Sequence, residues 1–471
     1  MIREKEGTSK KTMKTQALKK GMGADFTQGP IMPMLIKFFF PFLLANLLNS
    51  IYNTIDTIII GQFVGSVGTV AVSLGGKTLN LFTQVGLGFA GGGQILISQM
   101  AGGKRQNEYN STIGTLFTAT LAVAALLAVV TLVMSEQIII WLDTPEEAVE
   151  AALAYLRITC IGLPLIFGYN AVSSVLRGMG DSKSPLLFIA IAAVVNLIGD
   201  IVFIVCFGMG AAGTAIATVL GQGLSLLFSV VILYRKREYF GFDFRLRSFA
   251  IDAEKLRIIL KLGLPMAVRS IFITGTQLVM MGFVNGFGLV ESAAYSVGDK
   301  FYHAVNIFTM SVRQAAGSMV GQNFGADRHD RVKILVRDTF VLTMSVAIVL
   351  SVFSLLFPEE IFGLFSIDQA VIAYAPVFMR ISCAIYILSS LMGSFDIVVT
   401  GTGFTLLSLI AGILDGVVFR VCFSFLFAYA LDMGVVGFFM GDAMARFGPL
   451  IINSTYYFSG AWKKRKKLLK D

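Results

Sequence analysis

Two acidic residues lie inside apolar stretches that are long enough to span a membrane. Asp56 stands in the apolar segment that follows Pro41, and Asp200 stands within the run AAVVNLIGDIVFIV. A charged side chain at the centre of a spanning helix costs about 2.5–3.5 kcal/mol on insertion scales, so such residues are candidates for function by default. These two carboxylates are therefore the leading candidates for a functional site.

Polar residues precede Asp56 at helical spacing. Asn49, Tyr52 and Asn53 stand seven, four and three positions before it. Residues at these spacings share one face of a helix, so the segment predicts a polar stripe that would be intolerable against lipid.

Asp200 has a similar setting on two further segments. Asn196 precedes it by four residues, and Thr214 and Thr218 stand four apart on the next apolar segment. Such oxygens suit a hard cation such as Na⁺, whereas two neighbouring carboxylates could equally share a proton. We therefore predict an ion site in the first half at Asp56 and Asp200, towards which Asn196, Thr214 and Thr218 could direct further oxygens. If the ion is Na⁺, the predicted ligands are Asp56, Asn196, Asp200 and Thr218.

The composition identifies the kind of protein that positions these residues. Of 471 residues, 55% are hydrophobic and only 14% are charged, against roughly 25% charged in a soluble domain. The chain is therefore predicted to be a polytopic membrane protein, which excludes a cytosolic enzyme or a secreted domain. With a polar head and a basic tail set aside, the remaining chain accommodates about 12 helices with their loops.

The apolar segments give the predicted spans and domains. The spans are 33–62, 69–99, 109–134, 151–177, 185–207, 212–234, 259–286, 291–321, 333–357, 373–400, 406–430 and 435–459. The predicted domains are a basic tail (1–30), a first lobe of six helices (31–234), a connector (235–257), a second lobe of six helices (258–460) and a second basic tail (461–471).

The basic residues predict the orientation in the membrane. Most Lys and Arg residues cluster in the two tails and in alternate loops, whereas the other loops contain none. By the positive-inside rule, both termini, the connector and the basic loops are predicted to be cytoplasmic, in the inner or plasma membrane of the cell. The net charge of +9 is thus a topological signal, and no nucleic-acid partner is expected.

The two halves of the chain are related by an internal repeat. Ser73-Leu-Gly-Gly-Lys77 corresponds to Ser296-Val-Gly-Asp-Lys300, and Gln99 corresponds to Gln322 in the same register. Two halves with an even number of spans insert in parallel, so a pseudo-two-fold axis along the membrane normal is expected. The acids are not repeated, because a methionine and a serine stand where the second half would match Asp56 and Asp200.

Motifs of enzyme chemistry are either absent or misplaced. Gly86-Leu-Gly-Phe-Ala-Gly91 matches a dinucleotide-binding pattern but lies in an apolar helical run without a preceding strand. The chain has two histidines and no HExxH or GxSxG sequence. No enzymatic activity and no cofactor are therefore expected.

The combination of motifs resembles the multidrug and toxic compound extrusion (MATE) family, within the wider flippase superfamily that also includes oligosaccharidyl-lipid and polysaccharide transporters. The resemblance spans residues 30–460 and rests on the repeat, on Pro41 followed by Asp56-Thr-Ile-Ile-Ile-Gly61, and on Leu176-Arg-Gly-Met-Gly-Asp-Ser-Lys-Ser-Pro185. The residues that resemble the cation motif of the DinF-like branch, and that this resemblance implies couple transport to H⁺ or Na⁺, are Tyr52, Asp56, Asn196, Asp200 and Thr218. This likeness implies that Asn49, Asn53 and Asn170 line a drug cavity, with Thr214 contributing a backbone carbonyl.

The second half carries its own polar residues within apolar segments. Gln277 is included in the predicted substrate cavity. An acidic cation site of the kind found in the NorM-like branch is not expected there. The other polar candidates are Asp299, Arg313, Asp396, Asp415, Arg420, Asp442 and Arg446.

Together these features predict a monomeric multidrug efflux antiporter that confers antibiotic resistance. It would export amphipathic or cationic organic compounds in exchange for H⁺ or Na⁺ by alternating access between two lobes. The alternative is a lipid-linked oligosaccharide or polysaccharide flippase of the same superfamily, whose cavity should carry cationic residues for a pyrophosphate. A membrane enzyme or receptor would need a catalytic constellation or a soluble domain, and the sequence indicates neither.

Overall fold

The computed structural model describes residues 23–469, and these residues form helices and loops without a strand. Twelve long helical segments cross the described bundle. They are α1 (Ile31–Phe63), α2 (Gly65–Gly102), α3 (Tyr109–Val133), α4 (Glu146–Ile161 with Leu163–Gly178), α5 (Lys183–Cys206), α6 (Gly210–Arg235), α7 (Ala253–Asn285), α8 (Leu289–Gly325), α9 (His329–Leu356), α10 (Ala375–Gly401), α11 (Thr405–Ala430) and α12 (Gly434–Phe458).

Four of the predicted spans are less regular than single helices. α4 bends by 45° at Gly162, and α12 is interrupted between Met444 and Phe447. α5 ends in a π-helical turn, Ile201–Cys206, and α11 contains two such segments. Two predicted loops also contain short helices, Ser135–Trp141 between α3 and α4 and Pro358–Gly363 between α9 and α10. Apolar length alone did not predict these irregularities, because they depend on how each segment packs against its neighbours.

The backbone repeats between the two halves of the chain. Lys104 and Asp327 occupy equivalent positions of the repeat, and both have a φ of 56° at the end of a long helix. The contacts are reciprocal as well: Gly102 packs against the backbone of Gln322, and Gly325 packs against the backbone of Gln99. Such exchange of identical contacts is what a two-fold relation requires. The predicted fold, twelve helices in two pseudo-symmetric lobes, is confirmed.

The lobes meet near the end of the bundle that carries the basic loops, here called the basic face. Gly88 and Gly92 on α2 lie against Ala267 and Gly263 on α7, where the two backbones cross with no side chain between them. Small residues at such crossings allow close packing of helices in membranes. The interface between the lobes is therefore built largely on glycine.

The helices at this interface are the least apolar of the twelve. Eight helices, or nine with the bent α4, are apolar enough over their length to be recognised as spans by composition, and α2, α7 and α8 are not among them. These three pack on one another across the lobe boundary. Because protein covers much of their surface, they can carry arginine and glutamine side chains that lipid would not tolerate.

A methyl group at the helix crossing should destabilise the protein. In Gly92→Ala the added Cβ would lie 2.8 Å from the backbone nitrogen of Gly263 and 3.0 Å from the carbonyl oxygen of Ile259. We expect a loss of about 1–3 kcal/mol from overpacking, seen as a lower unfolding temperature in detergent. The control is Gly275→Ala on α7, where nothing lies within 4 Å. Equal unfolding temperatures for the two variants would contradict a tight crossing.

The described ends of both predicted tails are packed against the bundle. The Phe26 side chain is buried, and its carbonyl oxygen accepts hydrogen bonds from Asn323 and Arg331. Trp462 is buried after α12, and Arg465 donates to the carbonyl oxygens of the turn after α10. The remainder of the predicted tails, 1–22 and 470–471, lies outside the described residues.

Candidate cation site in the first lobe

Asp56 and Asp200 come together where α1 packs against α5. Asp56 is 8% exposed and Asp200 is fully buried, and the two carboxyl groups lie within hydrogen-bonding range when one of them holds a proton. Neither forms an ion pair with any lysine or arginine of the described residues. Burying two carboxylates without a counter-charge is unfavourable, so the pair requires a proton or a cation.

Asn196 connects the pair to α6. When its amide is oriented to match donors with acceptors, the amide nitrogen donates to Asp56 Oδ1 at 2.7 Å and to Oδ2 at 3.2 Å. The other amide atom then faces the Thr218 hydroxyl at 3.3 Å. The structure therefore brings Asp56, Asn196, Asp200 and Thr218 from three helices to one place.

Several buried side-chain oxygens at this site have no hydrogen-bond partner in the described part of the chain. They are both carboxyl oxygens of Asp200 and the hydroxyl of Thr214, which is 1% exposed. Buried polar atoms are normally paired, so the unpaired oxygens of Asp200, which lie beside Asp56, indicate a bound ion or proton. Two carboxyls with amide and hydroxyl oxygens fit Na⁺ or H⁺. No cluster of three His, Cys, Asp or Glu occurs among residues 23–469, so a multidentate acidic or thiolate metal site is not indicated there.

Two tyrosines complete the surroundings. Tyr52, one turn before Asp56, lies close to that carboxyl. Tyr155 on α4 is buried, packs its ring on Gly75 of α2, and lies close to Asp56, Tyr52 and Asp200. Tyr155 was not predicted from the sequence, because it lies on a helix whose spacing has no relation to either acid.

The predicted substrate residues are placed apart from one another. Asn170 lines a cavity of about 260 Å³ between the lobes, whereas Asn49, Asn53 and Gln277 lie outside its lining. Asn53 is exposed on the α1 surface, and Asn49 and Gln277 are half-buried. Their contact with a substrate remains a prediction.

The second lobe holds a different arrangement at the equivalent place. Arg420 and Asp442 stand where the repeat would place the counterparts of Asn196 and Thr218. The Arg420 guanidinium is 4% exposed and pairs with Asp415 at 3.0 Å and with Asp442. Tyr295 donates to the second oxygen of Asp442 at 2.6 Å. An arginine thus supplies the positive charge that the first lobe lacks, so the second lobe carries its own fixed cation.

Two parallel six-helix lobes, a buried acidic pair in one of them and a cavity between them define a membrane transporter rather than an enzyme. The MatE sequence model matches residues 41–202 and 265–444. The chain therefore belongs to the MATE family, as the motifs indicated.

Relatives and solved structures agree with this assignment. The chain is 28% identical over 446 residues to "Probable multidrug resistance protein YpnP" of Bacillus subtilis, covering 94% of this chain and 98% of the relative. It is 22% identical over 394 residues to "Multidrug export protein MepA" of Staphylococcus aureus, covering 82% and 86%.

Two solved structures share the fold at 20% identity, covering 94% of this chain and 99% of theirs. One, described as MATE in the straight conformation, has a TM-score of 0.86. The other, with a TM-score of 0.87, is a transporter from Pyrococcus furiosus whose description reports a "reverse polarity of binding pocket" and suggests a different function for that protein. The likeness to these structures supports the fold alone.

Proposed function

We propose that this protein is a secondary antiporter that exports amphipathic drugs, cationic ones among them, in exchange for H⁺ or Na⁺. Multidrug efflux follows from the family and the named relatives. Ion coupling rests on one observation, the buried pair of Asp56 and Asp200 with no lysine or arginine partner in the described chain.

The difference between the lobes supports coupling through the first one. Asp56 and Asp200 need a mobile positive charge, whereas Asp415 and Asp442 have one in Arg420. An inward-moving ion can therefore be taken up and released in the first lobe, while the second lobe keeps a constant charge. A drug and an ion that compete for the same acidic pair would be exchanged for each other.

α1 is suited to carry this change to the lobe interface. Its first half packs Phe38, Phe39 and Phe42 into the apolar core of the second lobe, and its second half holds Asp56 against α5. Asp56 lies at one end of α1, and the other end of α1 joins the lobes. Neutralising Asp56 would therefore change how favourably α1 packs in each orientation of the lobes. Neutralisation of Asp56 would thus favour one orientation of the two lobes over the other, as alternating access requires.

The charge distribution supports an orientation with the basic face in the cytoplasm. The loops at that face carry Lys104, Arg105 and the connector, whereas the loop helices of the opposite face carry Glu136, Glu359 and Glu360. By the positive-inside rule, both termini would be cytoplasmic. The proposal further places the protein in the cell membrane as a monomer.

Transport in vesicles that contain only this protein tests the proposal. Ethidium movement is followed with a pH gradient or a Na⁺ gradient imposed separately, each with the membrane potential clamped. We expect one gradient to drive ethidium against its concentration and the other to have no effect. Failure of both gradients, with ATP absent, would contradict ion-coupled export.

A further inference from the structure

The cavity between the lobes differs in charge from the acidic site of the first lobe. It is lined by α2, α4, α7, α8 and α10, and its charged residues are Arg177, Arg269, Arg313 and Asp396. Asp56 and Asp200 are not part of this lining. The transporter thus contains two separate polar sites, and their charges are of opposite sign.

The single carboxylate does not neutralise the three arginines. Asp396 lies 3.3 Å from Arg269 Nη1 and 3.6 Å from Arg313 Nε, and its side chain is 2% exposed. The Arg177 guanidinium lies 5.1 Å from the centroid of the Phe42 ring, and none of the carboxylates in the described chain pairs with it. The cavity therefore keeps a formal charge of about plus two in surroundings of low dielectric, which strengthens its attraction for an anion.

The rest of the lining suits the other parts of an amphiphile. Gln94 donates to Ser318 at 2.6 Å, and Asn170 and Gln314 offer further amide groups. Leu87, Met266 and Met310 supply apolar walls. Methionine adapts to apolar groups of different shape, as a site for varied ligands needs.

An arginine inside the bundle is costly and is retained where it pairs or binds. The burial of Arg269 is compensated by its ion pair with Asp396 and by its hydrogen bond to Ser408. Arg313 shares Asp396 and is 29% exposed, and Arg177 has no anionic partner in the described residues, so both guanidinium groups can reach a ligand in the cavity. A guanidinium binds a carboxylate, sulfonate or phosphate through charge-assisted hydrogen bonds.

We propose that the cavity between the lobes binds the anionic headgroup of an amphiphile, with Arg177 and Arg313 as its ligands. This names a substrate class for the cavity and rests on the proposed function, because the cavity is taken as part of the transport route. Cationic drugs would instead use the acidic pair of the first lobe. The headgroup can belong to a soluble amphiphile or to a membrane lipid.

Binding of tritiated taurocholate, a sulfonated steroid, to the full chain in phosphatidylcholine nanodiscs tests the site. We expect the R177Q/R313Q variant to bind with a Kd weakened by roughly ten- to hundredfold, and Arg177→Lys to retain most of the affinity. The control is Arg380→Gln, an exposed position outside the cavity lining. An unchanged unfolding temperature shows that R177Q/R313Q folds, and an unchanged Kd in the folded variant would overturn the proposal.

Competitors identify the headgroup and its source. Methyl cholate, which has the same steroid with an uncharged ester headgroup, should compete at least roughly tenfold more weakly than unlabelled taurocholate, and equal competition would overturn the proposal. Phosphatidic acid added to the nanodiscs distinguishes the sources. Competition by phosphatidic acid supports a lipid headgroup and the flippase alternative, and absence of competition supports a soluble anionic amphiphile.

Taurocholate binding needs no ion gradient, so its outcome is independent of the coupling assay. In a chain that carries Asp200→Asn, R177Q/R313Q should still weaken taurocholate binding, because Asp200 does not line the cavity. If ion-coupled export fails while the arginine-dependent binding persists, only the proposed function is wrong. If export succeeds and the arginine variants bind normally, only the anion site is wrong.

Discussion

Asp200→Asn should reduce ion-driven ethidium transport to the level of protein-free vesicles. Asp200 is fully buried beside Asp56, and its two oxygens have no donor among the described residues. The amide keeps the shape of the side chain but removes the charge that a proton or Na⁺ would neutralise, so the driving ion loses its binding energy. Asp56→Asn should have the same effect, because the two acids form one site. Transport by purified protein in vesicles under the driving gradient measures both.

The same substitutions should leave the protein folded. Removing a charge from an uncompensated buried pair relieves desolvation, so the unfolding temperature in detergent should stay unchanged or rise. The matched control is Asp432→Asn, an exposed residue in the loop before α12 with a φ of 52° that asparagine tolerates. If both acidic-pair variants transport as well as Asp432→Asn, the coupling site lies elsewhere.

Arg420→Met should cause the largest loss of stability among single substitutions in the second lobe. It leaves Asp415 and Asp442 buried side by side without their counter-charge, and breaking a buried ion pair typically costs about 3–5 kcal/mol. Thermal unfolding in detergent should show a clear decrease. Adding Asp415→Asn and Asp442→Asn to the same chain should restore much of the stability, because no unpaired charge then remains.

The control for this cluster is an ion pair at the surface. Arg157 pairs with Glu136 at 2.9 Å, and their side chains are 47% and 76% exposed. Arg157→Met should therefore cost less than about 1 kcal/mol. If Arg420→Met proves as mild as Arg157→Met, Arg420 does not serve as the fixed cation of the second lobe.

The fold was largely predictable because its determinants are local or periodic. Apolar length placed most of the twelve helices, and the constant register of the internal repeat gave the two lobes. The bend at Gly162 and the π-helical end of α5 were not predictable, because they depend on how each helix packs against its neighbours. The buried Phe26 likewise depends on hydrogen bonds to α8, a helix distant in the chain.

The residues of the candidate site were likewise predictable only in part. Asp56, Asn196, Asp200 and Thr218 were found from the sequence, because a polar residue in an apolar run stands out wherever its helix lies. Tyr155 was not found, because no spacing relates it to α1.

The sequence by itself determined which side chains are too polar for lipid and must therefore face protein or an ion. Only the tertiary structure decided their partners. It placed Arg420 between Asp415 and Asp442, and it left Asp200 beside Asp56 without a cation among the described residues. It also gathered three arginines from three helices around Asp396 and the cavity between the lobes. The physical reason is that the free-energy cost of burying a polar side chain is a property of that residue type, so the sequence reveals it. Charge compensation depends instead on distances between helices, which no sequence spacing encodes.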